Sequence, residues 1–84
     1  MNAHLIIDAD VLPTGGTLLL EVAMGLREHR IRPHSLVLSC ITSQDRVKLL
    51  VEFPAGRENG VLALAERFRN IPGVQKIVLN ERTP

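Results

Sequence analysis

Apolar residues alternate with other residues most clearly between positions 47 and 53. The odd positions of this segment are all apolar: Val47, Leu49, Val51 and Phe53. Lys48 and Glu52 lie between them, and Leu50 is an apolar exception among the even positions. Because successive side chains of a strand point to opposite sides of a sheet, the pattern predicts a strand whose odd positions are buried.

Three further apolar segments favour strands: residues 5–9, 36–41 and 74–79. The polar run Thr-Ser-Gln-Asp at positions 42–45 separates the second predicted strand from the third. Two strands joined by so short a turn form an antiparallel hairpin.

Two other segments show helical spacing of their apolar residues. The first covers residues 17–30, and its predicted core-facing stripe is Leu19, Val22, Ala23 and Leu26. The second follows Gly60, and its predicted stripe is Val61, Leu64, Ala65 and Phe68. Pro33 and Pro72 come after the two helices, and proline cannot continue a helix.

The resulting element order is β-α-β-β-α-β. A right-handed crossover in each β-α-β half gives a four-stranded antiparallel sheet with both helices on one face. The predicted fold class is therefore α+β, as a ferredoxin-like sandwich. We expect residues 1–84 to form one domain, because a chain of this length supports a single core.

Composition and charge argue against several functions. Ten basic and nine acidic residues give a net charge of +1, unlike the basic footprint of a nucleic-acid-binding protein. The only aromatic residues, Phe53 and Phe68, are both predicted in the core, which leaves none to stack on RNA bases. The apolar runs are far shorter than the ~20 residues of a membrane span. A lone cysteine, Cys40, excludes an internal disulfide, so we expect a cytoplasmic protein.

Candidate catalytic and metal-binding residues do not group in the sequence. His4, His29 and His34 fall in different elements, and no cysteine pair is present, so we expect no metal and no other cofactor. Ser35 and Ser39 share a strand without an evident base and acid. A nucleophile needs both, so we expect a binding protein rather than an enzyme.

The loop at residues 10–17 is one candidate site. It joins a strand to the start of a helix, where unpaired N–H groups and the helix dipole favour an anion. Gly15 and Gly16 would let the backbone approach a ligand closely. A plain tight turn is the alternative interpretation.

The second predicted strand is the other candidate. By topology it lies at a sheet edge, yet its residues are uncharged: Leu36, Val37, Leu38, Ser39, Cys40 and Ile41. Natural edge strands usually carry a protecting charge or proline. We expect these six residues to pair with another copy of the chain; shielding by the next loop is the alternative.

Three short motifs resemble the ACT domain family, and together they extend over most of the chain. They are GTLLLEV at 16–22, IRPHSL at 31–36 and FRNIPGV at 68–74. The chain looks most like the small stand-alone regulatory subunits of the acetolactate synthase type. The ACT modules of alarmone synthetases look similar too.

The resemblance implies a regulatory domain that pairs with itself and senses a small effector, usually an amino acid, or regulates a larger metabolic enzyme subunit. It places the effector between two copies. One copy would contribute Asp10, Gly15, Gly16, Thr17 and Leu18, and its neighbour would contribute Arg32 and His34.

Two arginines depart from the family pattern. Arg30 and Arg32 stand where the family commonly has glycine and asparagine. The basic side chains make an acidic or phosphorylated effector as reasonable as a branched-chain amino acid. A ligand-free module that docks on and stabilises a partner enzyme is the alternative function.

Overall fold

The computed structural model describes residues 2–12 and 17–81, and its elements follow the predicted order. The four strands are β1 (Asn2–Asp10), β2 (Ser35–Ile41), β3 (Arg46–Pro54) and β4 (Val74–Glu81). The two α-helices are α1 (Leu18–Glu28) and α2 (Glu58–Phe68). A single 3-10 turn, Thr42–Gln44, connects β2 to β3.

The strands form one antiparallel sheet in the order β2-β3-β1-β4. This arrangement confirms the ferredoxin-like sandwich. It also confirms that β2 is an edge strand, since β3 is its only neighbour among the described strands. The other edge is β4, which pairs with β1.

The core lies between the helices and one face of the sheet. The predicted alternation in β3 is confirmed, because all four odd positions from Val47 to Phe53 are buried. The directly opposite positions of β1 are buried with them: Ala3, Leu5, Ile7 and Ala9. The predicted stripe of α2 is also confirmed, since Val61, Leu64, Ala65 and Phe68 are all buried.

The predicted core face of α1 is partly wrong. Leu19 is 38% exposed, and the buried residues are Leu18, Val22, Gly25 and Leu26. These four occupy positions i, i+4, i+7 and i+8, which share one side of a helix. The helix is thus rotated so that Leu18 enters the core in place of Leu19.

The end of α1 is fixed by backbone hydrogen bonds. The N–H of Ile31 donates to the carbonyl of Leu26 over 2.9 Å, and that of Arg30 donates to Arg27 over 3.0 Å. Arg30 has a φ of 55°, so the helix ends in a Schellman motif with arginine in the left-handed position. Arg57 supports this end by donating to the carbonyls of His29 and Arg30, each over 3.3 Å.

Candidate functional site

Strand β2 is uncovered along nearly its whole length. Leu36 is half-buried, and every other residue of the strand is exposed. Val37, at 50%, is the most exposed of its large apolar side chains. The turn that follows β2 leaves the strand exposed, so the alternative of a shielding loop does not hold for the described residues.

The register of the sheet divides the side chains of β2 between two faces. Leu36, Leu38 and Cys40 lie opposite buried residues of β3 and therefore point to the helix side. Val37, Ser39 and Ile41 point to the opposite side, which we call the open face. Cys40 is exposed although it lies on the helix side.

The residues predicted around the start of α1 have different surroundings. Asp10 already has partners: its carboxylate lies 3.4 Å from Nε of Arg46 and accepts a 2.7 Å hydrogen bond from Gln75. Thr17 is exposed at the N-cap position, whereas the side chain of Leu18 is fully buried. Only the backbone of Leu18 could therefore reach a ligand. Gly15 and Gly16 lie outside the described residues.

A groove runs between the end of α1 and the beginning of β2. Its floor is apolar, formed by Ala23, Leu26, Ile31, Pro33 and Leu36. Its other lining residues are three arginines, Arg27, Arg30 and Arg32. Among the described side chains that line the groove none is acidic, so the groove favours an anion that also has an apolar part. His34 follows it on the exposed approach to β2.

One copy of the chain does not bring the two predicted halves of the site together. Asp10 and Thr17 lie near the start of α1, while Arg32 and His34 follow its end. Eleven helical residues, at ~1.5 Å per residue, separate these ends by roughly 16 Å. A small effector cannot contact both halves within one copy.

The sequence did not predict that Arg27, Arg30 and Arg32 line one groove, although the three arginines fall within six residues of each other. The groove assembles only because the left-handed turn at Arg30 reverses the chain between α1 and β2. In residues 2–12 and 17–81, no group of three or more His, Cys, Asp or Glu is placed to hold a metal ion. No helix in these ranges is long and apolar enough to cross a membrane.

Similarity to other proteins is found in structure and not in sequence. No protein-family model matches the chain, and no curated protein matches it. The C-terminal domain of the MgtC protein from Mycobacterium tuberculosis superposes with a TM-score of 0.76 at 9% identity, over 93% of this chain and 83% of that one. The ACT domain of GTP pyrophosphokinase from Chlorobium tepidum gives 0.74 at 11% identity, over 99% and 89%.

A third similar structure is the ligand-free regulatory subunit of aspartate kinase from Thermus thermophilus. Its TM-score is 0.71 at 15% identity, over 94% of this chain and 50% of that subunit. These matches show that the chain has the fold of ACT domains. At such low identities they extend to the fold alone, and the resemblance to the acetolactate synthase type remains a prediction.

Proposed function

We propose that this chain is a non-catalytic regulatory domain of the ACT type, which pairs with a second copy through β2 and senses a small effector between the two copies. The observation that carries the proposal is the uncharged, uncovered edge strand. A larger metabolic enzyme subunit is the target that such a domain would regulate.

The two edges of the sheet differ in their protection. Strand β4 carries Lys76 and the polar residues Gln75 and Asn80. Strand β2 has no charge from Ser35 to Ile41. Charged side chains on an edge strand discourage pairing with another chain, and their absence permits it. Self-association is therefore expected at β2 and not at β4.

Antiparallel pairing of two β2 strands would also complete the effector site. In a symmetric pair, the beginning of β2 in one copy lies beside the end of β2 in the other. At one end of the sheet, Ile41 of β2 lies opposite Arg46 of β3, and Arg46 lies opposite Asp10 of β1. Because α1 follows β1 in the chain, the start of α1 lies at that same end. Arg32 and His34 of one copy would thereby approach Asp10 and Thr17 of the other.

The chemistry of the groove favours an effector with an acidic group. Guanidinium groups bind carboxylates and phosphates through charge-assisted hydrogen bonds. Arg27, Arg30 and Arg32 line the groove together, and its floor would accept an apolar part of the same molecule. An acidic amino acid or a small phosphorylated metabolite therefore matches the groove better than a neutral amino acid does.

Leu38→Lys should convert the wild-type assembly into a smaller one. Leu38 is the middle residue of β2, so symmetric pairing places it beside its own copy. Two ammonium groups would then face each other across the new strand pair, and like charges directly opposite destabilise a sheet. Light scattering coupled to size exclusion, over a range of protein concentrations, measures the change in mass.

Leu62→Lys is the matched control for this experiment. Leu62 lies on α2 and is 48% exposed, so it also receives a lysine at an exposed apolar position. We expect its mass to equal that of the wild type. A Leu38→Lys protein with the wild-type mass, or a wild type that is monomeric at millimolar concentration, would exclude pairing through β2.

Arg32→Gln should weaken effector binding by roughly tenfold or more, because a charge-assisted hydrogen bond contributes about 1.5–3 kcal/mol. Calorimetric titration with the twenty amino acids and inorganic phosphate would identify the effector class. Lys76→Gln is the control, since it removes one positive charge from the opposite edge strand. If the wild type binds none of these probes, effector sensing is not supported and a ligand-free docking module is favoured.

A further inference from the structure

The open face of the sheet carries an apolar row that crosses all four strands. In register, Val37 of β2 lies opposite Leu50 of β3, Leu50 opposite Ile6 of β1, and Ile6 opposite Val78 of β4. Directly opposite residues point to the same side of a sheet. These four side chains, which we call the apolar row, therefore form one continuous stripe on the side away from the helices.

A polar row lies on each side of the apolar row. Toward the end of β1, the residues in register are Ser39, Lys48, Asp8 and Lys76. Toward the beginning of β1, they are Ser35, Glu52, His4 and Asn80. His4 and Glu52 are bonded within this second row, with 3.0 Å between Nε2 and Oε2. One row thus contains two lysines and an aspartate, and the other contains a glutamate and a histidine.

The apolar row is not covered by any described element. Ile6, Leu50 and Val78 are half-buried by their neighbours in the sheet, and Val37 is exposed. Ile6, Val37 and Leu50 also line a shallow depression with His4, Ser39, Lys48 and Asn80. The solvent face of an antiparallel sheet usually carries polar side chains, so an unbroken apolar row points to an interaction surface.

We infer that the open face binds the open face of a second copy of this chain. The argument is charge complementarity under the symmetry of a homodimer, whose two halves use the same surface. A twofold axis along the apolar row places this row against itself. It places Lys48 against Glu52 of the partner subunit and Asp8 against His4 of the partner subunit.

The complementarity holds for the other in-plane axis as well. A twofold axis along the strands places Lys48 against Asp8 of the partner subunit and Ile6 against Leu50 of the partner subunit. Neither arrangement sets lysine against lysine or carboxylate against carboxylate. Two sheets pack face to face at about 10 Å with a small rotation, which keeps these central contacts within reach. This surface is separate from the outer edge of β2.

Ile6→Lys tests the open face without changing the edge strand. Ile6 lies on β1, an interior strand, so pairing through β2 stays possible. If both surfaces are used, the wild type is at least tetrameric, and both Ile6→Lys and Leu38→Lys should be dimers. The double variant should be a monomer. Sedimentation velocity across a concentration series measures these masses.

A charge-reversal series supports the same test. Lys48 is exposed, Asp8 and Glu52 are half-buried, and circular dichroism checks that each variant is folded. Lys48→Glu should weaken face-to-face association by roughly tenfold, a change of about 1.4 kcal/mol. Adding Glu52→Lys should restore association if the axis follows the apolar row. Adding Asp8→Lys should restore it if the axis follows the strands. Failure of both restorations would argue against the symmetric contact.

The outcomes separate this inference from pairing through β2. If Leu38→Lys is already monomeric, or if Ile6→Lys, folded by circular dichroism, keeps the wild-type mass, the open face does not bind a second copy. If Leu38→Lys keeps the wild-type mass while Ile6→Lys reduces it, the open face is the dimer interface and edge pairing is excluded. Leu62→Lys should match the wild type in every case.

Discussion

Phe68→Ala should lower the free energy of unfolding by ~3–5 kcal/mol. The ring of Phe68 is buried between α2 and α1, with 1% of the residue exposed, and it packs against Gly25. Removing the ring leaves a cavity between the helices, into which the surrounding side chains can relax only in part. Because small domains have a total stability of ~5–15 kcal/mol, this change could remove most of it.

Urea denaturation, followed by circular dichroism, measures this loss. Wild type and variant are compared at one protein concentration, because self-association also stabilises the folded state. Leu62→Ala is the control: Leu62 lies on the same helix but is 48% exposed, and we expect a loss within about 0.5 kcal/mol. A loss below ~1 kcal/mol for Phe68→Ala would mean that α2 presents another face to the sheet.

The sequence predicted the buried faces of β3 and α2 well because charged residues interrupt their apolar patterns. In β3, the charged residues Lys48 and Glu52 stand at even positions, so only the odd positions can be buried. In α2, Glu66 and Arg67 separate Ala65 from Phe68 and fix the stripe. The sheet order then follows from connection handedness, which is why the edge position of β2 could be predicted.

The buried face of α1 could not be predicted in the same way. Leu18, Leu19 and Leu20 supply apolar side chains at three successive positions, so any of them could begin the stripe. We attribute the choice of the buried face of α1 to Gly25, which has no side chain and therefore gives no apolar signal in the sequence. In the structure Gly25 lies against Phe68 and Leu64 of α2, and we expect this contact to set the rotation of the helix. Leu18, predicted as a ligand residue, enters the core as a result.

The candidate surfaces were predictable to different degrees. The uncharged edge strand follows from sequence and topology. The apolar row on the open face does not, because it depends on the register of three strand pairs, and a shift by one residue would turn Ile6 or Leu50 to the other side. The basic groove depends on the left-handed conformation of Arg30, which sequence does not favour for an arginine.

Gly25→Val should destabilise the protein by ~1–3 kcal/mol, although valine has a higher helix propensity than glycine. A Cβ atom at Gly25 would lie 2.9 Å from Cζ of Phe68 and 3.1 Å from Cδ2 of Leu64. Both neighbours are buried, so neither can move away freely. The propensity gain of a few tenths of a kcal/mol is smaller than this steric cost, and the helices must separate.

A double-mutant cycle with Phe68→Leu identifies the ring as the cause. Leucine lacks the ring atoms that a Cβ at Gly25 would meet, so Gly25→Val should cost less in that background, with a coupling energy of ~0.5–3 kcal/mol. Ala63→Val, at an exposed position of α2, controls for introducing a β-branched residue into a helix. Strict additivity of the two substitutions would show that Gly25 does not set the contact between α1 and α2. A positive coupling would mean that a glycine selects which leucine of α1 enters the core, and thereby keeps the side chain of Leu18 away from any effector.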